Sequence, residues 1–269
     1  MPSADHGQRC GDGMEATREN VVTFTGPVSQ AVILAAGRGT RMRELTASLP
    51  KPMVQVGGRP ILEHIVRGLA QAGMTRILIV VGYRQEVIRE HFGDGSAWGM
   101  QIAYAEQSTQ DGTGRVVALA KPFVDSKPFL LSYGDILVRA SLYARLADLG
   151  TAEMLVSVRR AEDVTKGGAV FLNDAFEVTD ILEKPGAGSV ATPWFNAGVY
   201  TFRPGIFEWV ARLEKSPRGE YELTDAVRAV AQGGGTVRAV EVAGDWADVR
   251  DPEVLADLNR DGCTWFSEG

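Results

Sequence analysis

Ala31-Val32-Ile33-Leu34-Ala35-Ala36-Gly37-Arg38-Gly39-Thr40-Arg41-Met42 passes from an unbroken apolar run into a loop of glycine and arginine. A short apolar run that halts at glycine predicts a strand over 31–35 buried on both faces, as in a parallel sheet. Ile61, Leu62, Ile65, Val66 and Leu69 then recur at helical spacing and stop at Gly73, and Ile77-Leu78-Ile79-Val80-Val81 makes a second buried strand. Strand, helix and strand in that order form a βαβ unit.

Outward from this unit the rhythm continues with a helix over 85–91, a strand over 101–104, a helix over 114–120 and a strand over 129–132. The alternation predicts an α/β fold, a doubly wound, Rossmann-like, mostly parallel mixed sheet. Strand-like stretches at 153–158, 169–172, 176–182 and 197–202, with little helix between the middle ones, predict an antiparallel acceptor-binding lobe. Helices over 221–231 and 252–258 flank a strand over 236–242, and Asp251-Pro252-Glu253 supplies a cap, a first-position proline and an early acid for the last helix. Residues 1–28 are expected to be a flexible extension, with Met14 as an internal start. Residues 29–262 are expected to form a single domain of two halves, at about 29–150 and about 151–262, followed by a tail at 263–269.

Composition excludes several partners. The net charge of -6 and the absence of a Lys/Arg run argue against a nucleic-acid backbone, which needs clustered cations. No apolar run approaches the roughly 20 residues that span a bilayer, so no membrane association is expected. Cys10 and Cys263 form neither a disulfide framework nor a zinc spacing, which suits a reducing, cytoplasmic compartment. The oligomeric state is left open, a homo-oligomer included.

Gly37-Arg38-Gly39-Thr40-Arg41-Met42 lets backbone N–H groups approach an anion and adds guanidinium donors, so it reads as a phosphate cradle. It is not the dinucleotide fingerprint, because Met42 stands where a third glycine belongs, and no Gly-Lys-Ser/Thr follows to make a P-loop. In Leu49-Pro50-Lys51-Pro52-Met53, prolines on both sides of Lys51 stiffen the backbone that aims its ammonium. Leu130-Leu131-Ser132-Tyr133-Gly134-Asp135 is an apolar strand delivering a carboxylate at its end, and Trp246-Ala247-Asp248 offers a second one ahead of a helix.

Leu34-Ala35-Ala36-Gly37-Arg38-Gly39-Thr40-Arg41-Met42 followed by Pro50-Lys51-Pro52-Met53 resembles the signature of the sugar nucleotidyltransferases, and the resemblance runs from about Ala31 to Leu258. One departure is Glu44, where the family commonly has proline. The resemblance implies an enzyme that joins a nucleoside triphosphate to a sugar 1-phosphate and releases pyrophosphate, with Mg²⁺ held by Asp135 and Asp248. It assigns nucleotide binding to Leu34, Ala36, Gly37, Gly39, Thr40 and Arg41, and to Gln107 with Gly112 and Thr113. Glu183-Lys184-Pro185 and Asn196-Ala197-Gly198 resemble acceptor motifs, with Glu183 and Asn196 on sugar hydroxyls, Lys184 on the sugar phosphate and Gly168 leaving room for the ring. The catalytic set implied is Arg41, Lys51, Asp135 and Lys184.

The spacing from Gln107 to Gly112-Thr113-Gly114 resembles uridylyl-transferring relatives and favours UTP or dTTP, although an amide that both donates and accepts cannot name a base by itself. A cytidylyltransferase for a phosphorylated alcohol such as phosphocholine, and a silent nucleotide-sugar sensor, are the competing readings. Glu183, Lys184 and Asn196 count against the first, and the presence of Lys51, Asp135 and Asp248 against the second. Glu220-Tyr221-Glu222-Leu223-Thr224-Asp225 also matches a family stretch and is expected to be structural, while Trp194 and Trp246 are expected to fill core. His6, His64 and His91 show no metal spacing and are given no chemistry.

Overall fold

The computed structural model describes residues 26–46 and 48–260. Met14, His6, Cys10, Cys263, the tail, and the expected extension apart from 26–28 lie outside the described residues, as does the side chain of Glu44. The first half carries β1 (Gln30–Leu34), β2 (Gln55–Val56), β3 (Arg59–Pro60), α1 (Ile61–Gln71), β4 (Arg76–Val81), α2 (Gln85–Phe92), β5 (Gln101–Glu106), α3 (Thr113–Val117), β6 (Phe129–Tyr133), β7 (Ile136–Val138) and α4 (Ala140–Leu146). The second carries β8 (Met154–Arg160), β9 (Gly168–Leu172), β10 (Val178–Glu183), β11 (Trp194–Phe202), α5 (Ile206–Val210), α6 (Leu223–Gln232), β12 (Val237–Glu241), β13 (Trp246–Asp248) and α7 (Pro252–Arg260).

β1 lies between β4 and β6 with both pairings parallel, and β5 adds to β4 in parallel. The apolar runs are continuous because each strand feeds two cores. Ala31, Ile33, Ile77, Ile79 and Leu130 face a core closed by α1, α2, α4 and α7, while Val32, Leu78, Val80 and Leu131 face one closed by α3, α5 and α6. Ile33 and Ile79 are fully buried, and truncating either to alanine removes about 2–5 kcal/mol of stability through lost transfer energy and the cavity left behind. The last helix starts as expected: Pro252 is its first residue, and the Asp251 carboxylate accepts from the Val254 N–H at 3.0 Å. No helix among the described residues is long and apolar enough to cross a membrane.

The antiparallel strands of the second half join this same sheet. β11 pairs antiparallel with β6 through Val199–Phe202 and with β9 through Trp194 and Phe195, while β8 runs along its other side. β12 extends β8 in parallel, and β10 closes a hairpin on β9. β11 therefore forks the sheet, and its register shifts between Asn196 and Tyr200, where the neighbour changes. Its start at Trp194, three positions before the expected 197, brings Asn196 into the strand. The expected helix over 114–120 is α-helical only to Val117 and finishes as a 3₁₀ turn over Ala118–Ala120. The short helices α4 and α5 have no counterpart in the sequence-based expectations.

Candidate active site

The carboxyl ends of β1, β4, β5 and β6 open on one edge of the sheet, and there Leu34, Ala36, Gly37, Gln107, Gly112 and Thr113 line a cavity of about 410 Å³. A second cavity of about 400 Å³ adjoins it, lined by Gly39, Thr40, Arg41, Gly168, Glu183, Lys184, Asn196 and Asp248. Lys51, Asp135, Thr113 and Tyr133 belong to both walls. Every site residue singled out from the sequence is thus on one of two contiguous surfaces.

At the junction the Lys51 ammonium is 2.5 Å from Asp135 Oδ2. Pro52 and Met53 are buried within the short 3₁₀ turn that starts at Lys51, so the side chain leaves a fixed backbone. Gly39 makes the approach from the other side: a Cβ there would lie 2.6 Å from Lys51 Cβ, and its φ of +64° is one that glycine adopts without penalty. Asp248 reaches Asp135 because β13 pairs antiparallel with β7, setting Asp248 opposite Ile136, and the Val249 N–H donates to the Asp135 carbonyl at 2.9 Å. Burial, and then the neighbouring Asp135 carboxylate, push the Asp248 carboxyl up to about 6; Arg250, 3.3 Å away, together with Lys51 and Arg41, acts against them. Two hard-oxygen donors brought together, one of them largely withdrawn from water, form a donor set that fits a divalent cation.

In the second cavity Lys184 adopts φ +42°, a conformation rare for a residue with a side chain, and its N–H donates to the Gly167 carbonyl at 2.8 Å. Glu183 is raised by burial and by Glu222, against the pull of Lys184 and Arg218. The space at Gly168 is taken up by Asn196, because a Cβ there would meet Asn196 Cβ at 2.9 Å. In the first cavity the Gln107 amide nitrogen donates to the Thr109 carbonyl at 2.8 Å, and Gln110 donates to the Ala36 carbonyl at 3.1 Å, tying the two loops together.

The segment expected to be structural does more than cap a helix. Glu220 lines both cavities, and the Tyr221 backbone brackets the glycine turn, donating to the Asp111 carbonyl and accepting from Gly114 at 2.7 Å. Arg218, not anticipated, lies within 4 Å of three carboxylates, Glu183, Glu220 and Glu222. Trp246 is half-buried and lines the second cavity while donating to the Ala197 carbonyl, so it is not simply core; Trp194 packs edge-on against Phe176. His64 is buried on the Val56 carbonyl and His91 pairs with Glu63. Tyr133, Gln110 and Arg250 also went unanticipated, and only the position of Tyr133 and Arg250 beside the two aspartates in the sequence could have flagged any of them.

An open α/β sheet with a glycine loop, a rigid lysine and paired aspartates at its carboxyl edge is the layout of a nucleotidyl-transferring enzyme. The chain belongs to the nucleotidyl transferase family, whose sequence model matches residues 30–264, in keeping with the sugar nucleotidyltransferase resemblance of its motifs. It is 35% identical over 228 residues to the UTP–glucose-1-phosphate uridylyltransferase AglF of Haloferax volcanii, covering 83% of this chain and 92% of that protein. It is 30% identical to a glucose-1-phosphate thymidylyltransferase of Streptomyces griseus, covering 86% of this chain and 65% of the relative. The fold matches a crystal structure of UDP-glucose pyrophosphorylase complexed with UDP-glucose, with a TM-score of 0.79 at 21% identity, over 87% of this chain and 98% of the other.

Proposed function

We propose that the chain transfers a uridylyl or thymidylyl group from UTP or dTTP to a sugar 1-phosphate, yielding the nucleoside diphosphate sugar and pyrophosphate. The observation that carries this reading is the convergence of Lys51, Asp135 and Asp248 where the two cavities meet. Asp135 and Asp248 would hold Mg²⁺, which needs only one or two carboxylates beside phosphate and water, and which would supply charge neutralisation at the α-phosphate when bound. The loop from Gly37 to Arg41 offers its N–H groups to the triphosphate, and the exposed Arg41 draws the pyrophosphate away. Lys51 and Lys184 bring two anions together against their repulsion, so that the sugar-phosphate oxygen attacks in line with the leaving group. Glu183 and Asn196 accept and donate to sugar hydroxyls.

The base preference is supported by Gln107. One of its two N–H donors is taken by the Thr109 carbonyl, an arrangement that leaves its carbonyl oxygen open to accept the N3–H of uracil or thymine. A hydroxyl-rich acceptor suits the half-buried Glu183 and the buried Asn196 better than a phosphorylated alcohol would. The test is pyrophosphate release with Mg²⁺ from a panel of triphosphates crossed with a panel of sugar 1-phosphates and phosphocholine. Turnover with UTP or dTTP and one sugar 1-phosphate is expected; turnover with CTP and phosphocholine alone, or binding without turnover, would replace this reading.

A further inference from the structure

Beneath the junction of the two cavities a chain of hydroxyls runs through the protein interior. Tyr133 lines the first cavity beside Thr113, its hydroxyl is 3.3 Å from that of Tyr200, and Asn196 Nδ2 donates to Tyr200 Oη at 2.5 Å. Thr113 follows the glycine turn of the first cavity; Asn196 lines the second. Tyr200 is fully buried, so its hydroxyl meets no solvent and is satisfied only within the chain of contacts.

The backbone is shaped to hold this chain together. β11 shifts register between Asn196 and Tyr200, and inside that bulge Gly198 sits at φ +81°, where a Cβ would come within 3.0 Å of Tyr133 Cδ2. The Gly198 N–H donates to Asn196 Oδ1 at 3.2 Å, so both ends of the Asn196 amide are fixed, one by the bulge and one by Tyr200. The two tyrosine rings meet edge to face at 5.8 Å. A displacement of the half-buried Tyr133 therefore reaches Asn196 through the buried Tyr200, whose hydroxyl has no alternative partner in water.

We infer that Tyr133 and Tyr200 are positioning residues that couple the two cavities, so that a nucleotide held beside Tyr133 in the first cavity sets Asn196 for the sugar phosphate. The inference rests on the reading of the cavities under Proposed function. Coupling between sites is reciprocal, so the sugar phosphate tightens nucleotide binding by the same factor.

The experiment is calorimetric binding of glucose 1-phosphate to the full chain, with and without α,β-methylene UTP, which cannot release pyrophosphate. The wild-type chain should bind glucose 1-phosphate at least about fivefold more tightly with the analogue present. Tyr133→Phe and Tyr200→Phe, which keep the rings and remove one hydroxyl each, should each reduce that ratio to below about twofold, while α,β-methylene UTP alone binds Tyr200→Phe, whose ring lines neither cavity, within about threefold of wild type. Unchanged melting temperatures separate this loss from a general loosening of the fold, and two variants keep the test open if one does not fold. An undiminished ratio in both variants, or no coupling in the wild type, overturns the inference and leaves the functional reading intact. Failure of the wild-type chain to bind either ligand overturns that reading and the inference together.

Discussion

Lys51 Nζ lies 2.5 Å from Asp135 Oδ2, although the two residues are 84 positions apart and reach each other from a proline-flanked turn and from the end of a buried strand. The ammonium thus stands against a carboxylate proposed to hold metal, ready to share it with an incoming phosphate. Lys51→Ala leaves that carboxylate without its nearest cation. It should lower kcat/KM for the triphosphate by about 10²–10³, the usual cost of one preorganised charge-stabilising donor. Pyrophosphate release measured beside a thermal melt checks this, and activity within threefold of wild type would remove Lys51 from the catalytic set.

Asp248 titrates at about 6 in the metal-free chain and must lose its proton to bind a cation. Magnesium affinity, measured by calorimetry between pH 5 and 8, should therefore weaken as pH falls through about 6. Asp248→Asn should bind more weakly and with a flatter profile. The sign for stability is the reverse. The folded pKa is raised above the ordinary value of 3.8, so the contribution of Asp248 is full below that value and is lost as pH rises through about 6. The metal-free wild type should lose melting temperature relative to Asp248→Asn between about pH 4 and 6, and added magnesium should restore it at pH 7.

Gly39→Ala places a methyl 2.6 Å from Lys51 Cβ at a backbone angle of +64°. The backbone strain costs about 1–2 kcal/mol, and the methyl also displaces Lys51. Nucleotide KM should rise and kcat fall together in pyrophosphate release, whereas Gly37→Ala, with open space around its Cβ, should be much milder. Equal effects of the two substitutions would show that the Gly39–Lys51 contact does not matter.

Arg218→Ala leaves Glu222, which is 4% exposed, facing Glu183 without its guanidinium. Loss of a charged hydrogen bond of this kind costs about 1.5–3 kcal/mol, to be read by urea denaturation. Because Arg218 and Glu183 share the second cavity, KM for the sugar 1-phosphate should rise more than KM for the nucleotide. A stability loss with both KM values unchanged would make Arg218 purely structural.

The parallel half of the fold was legible because burial on both faces writes itself as unbroken apolar runs, as in Ala31–Ala35 and Ile77–Val81. Lys51 and Asp135 announced themselves through local context, a pair of prolines and the end of a strand. The fork in β11 was not legible, since it depends on which strands lie beside Trp194–Phe202, and alternation along one strand carries no information about its neighbours. The short β7–β13 pairing was hidden for the same reason, and with it the route by which Asp248 comes to Asp135. Arg218 and the tyrosines escaped notice because arginine on a loop and tyrosine in a strand are common, and only their partners distinguish them.

The fork at Gly198 also marks a seam for protein engineering. On one side of it β11 is bound to β6 and the nucleotide end of the sheet; on the other it is bound to the β9–β10 hairpin that ends in Glu183. Sequence diversity confined to that hairpin and the loop leading back to Trp194 can retune which acceptor is taken while the triphosphate end keeps its framework, provided that the glycine at the seam is left in place.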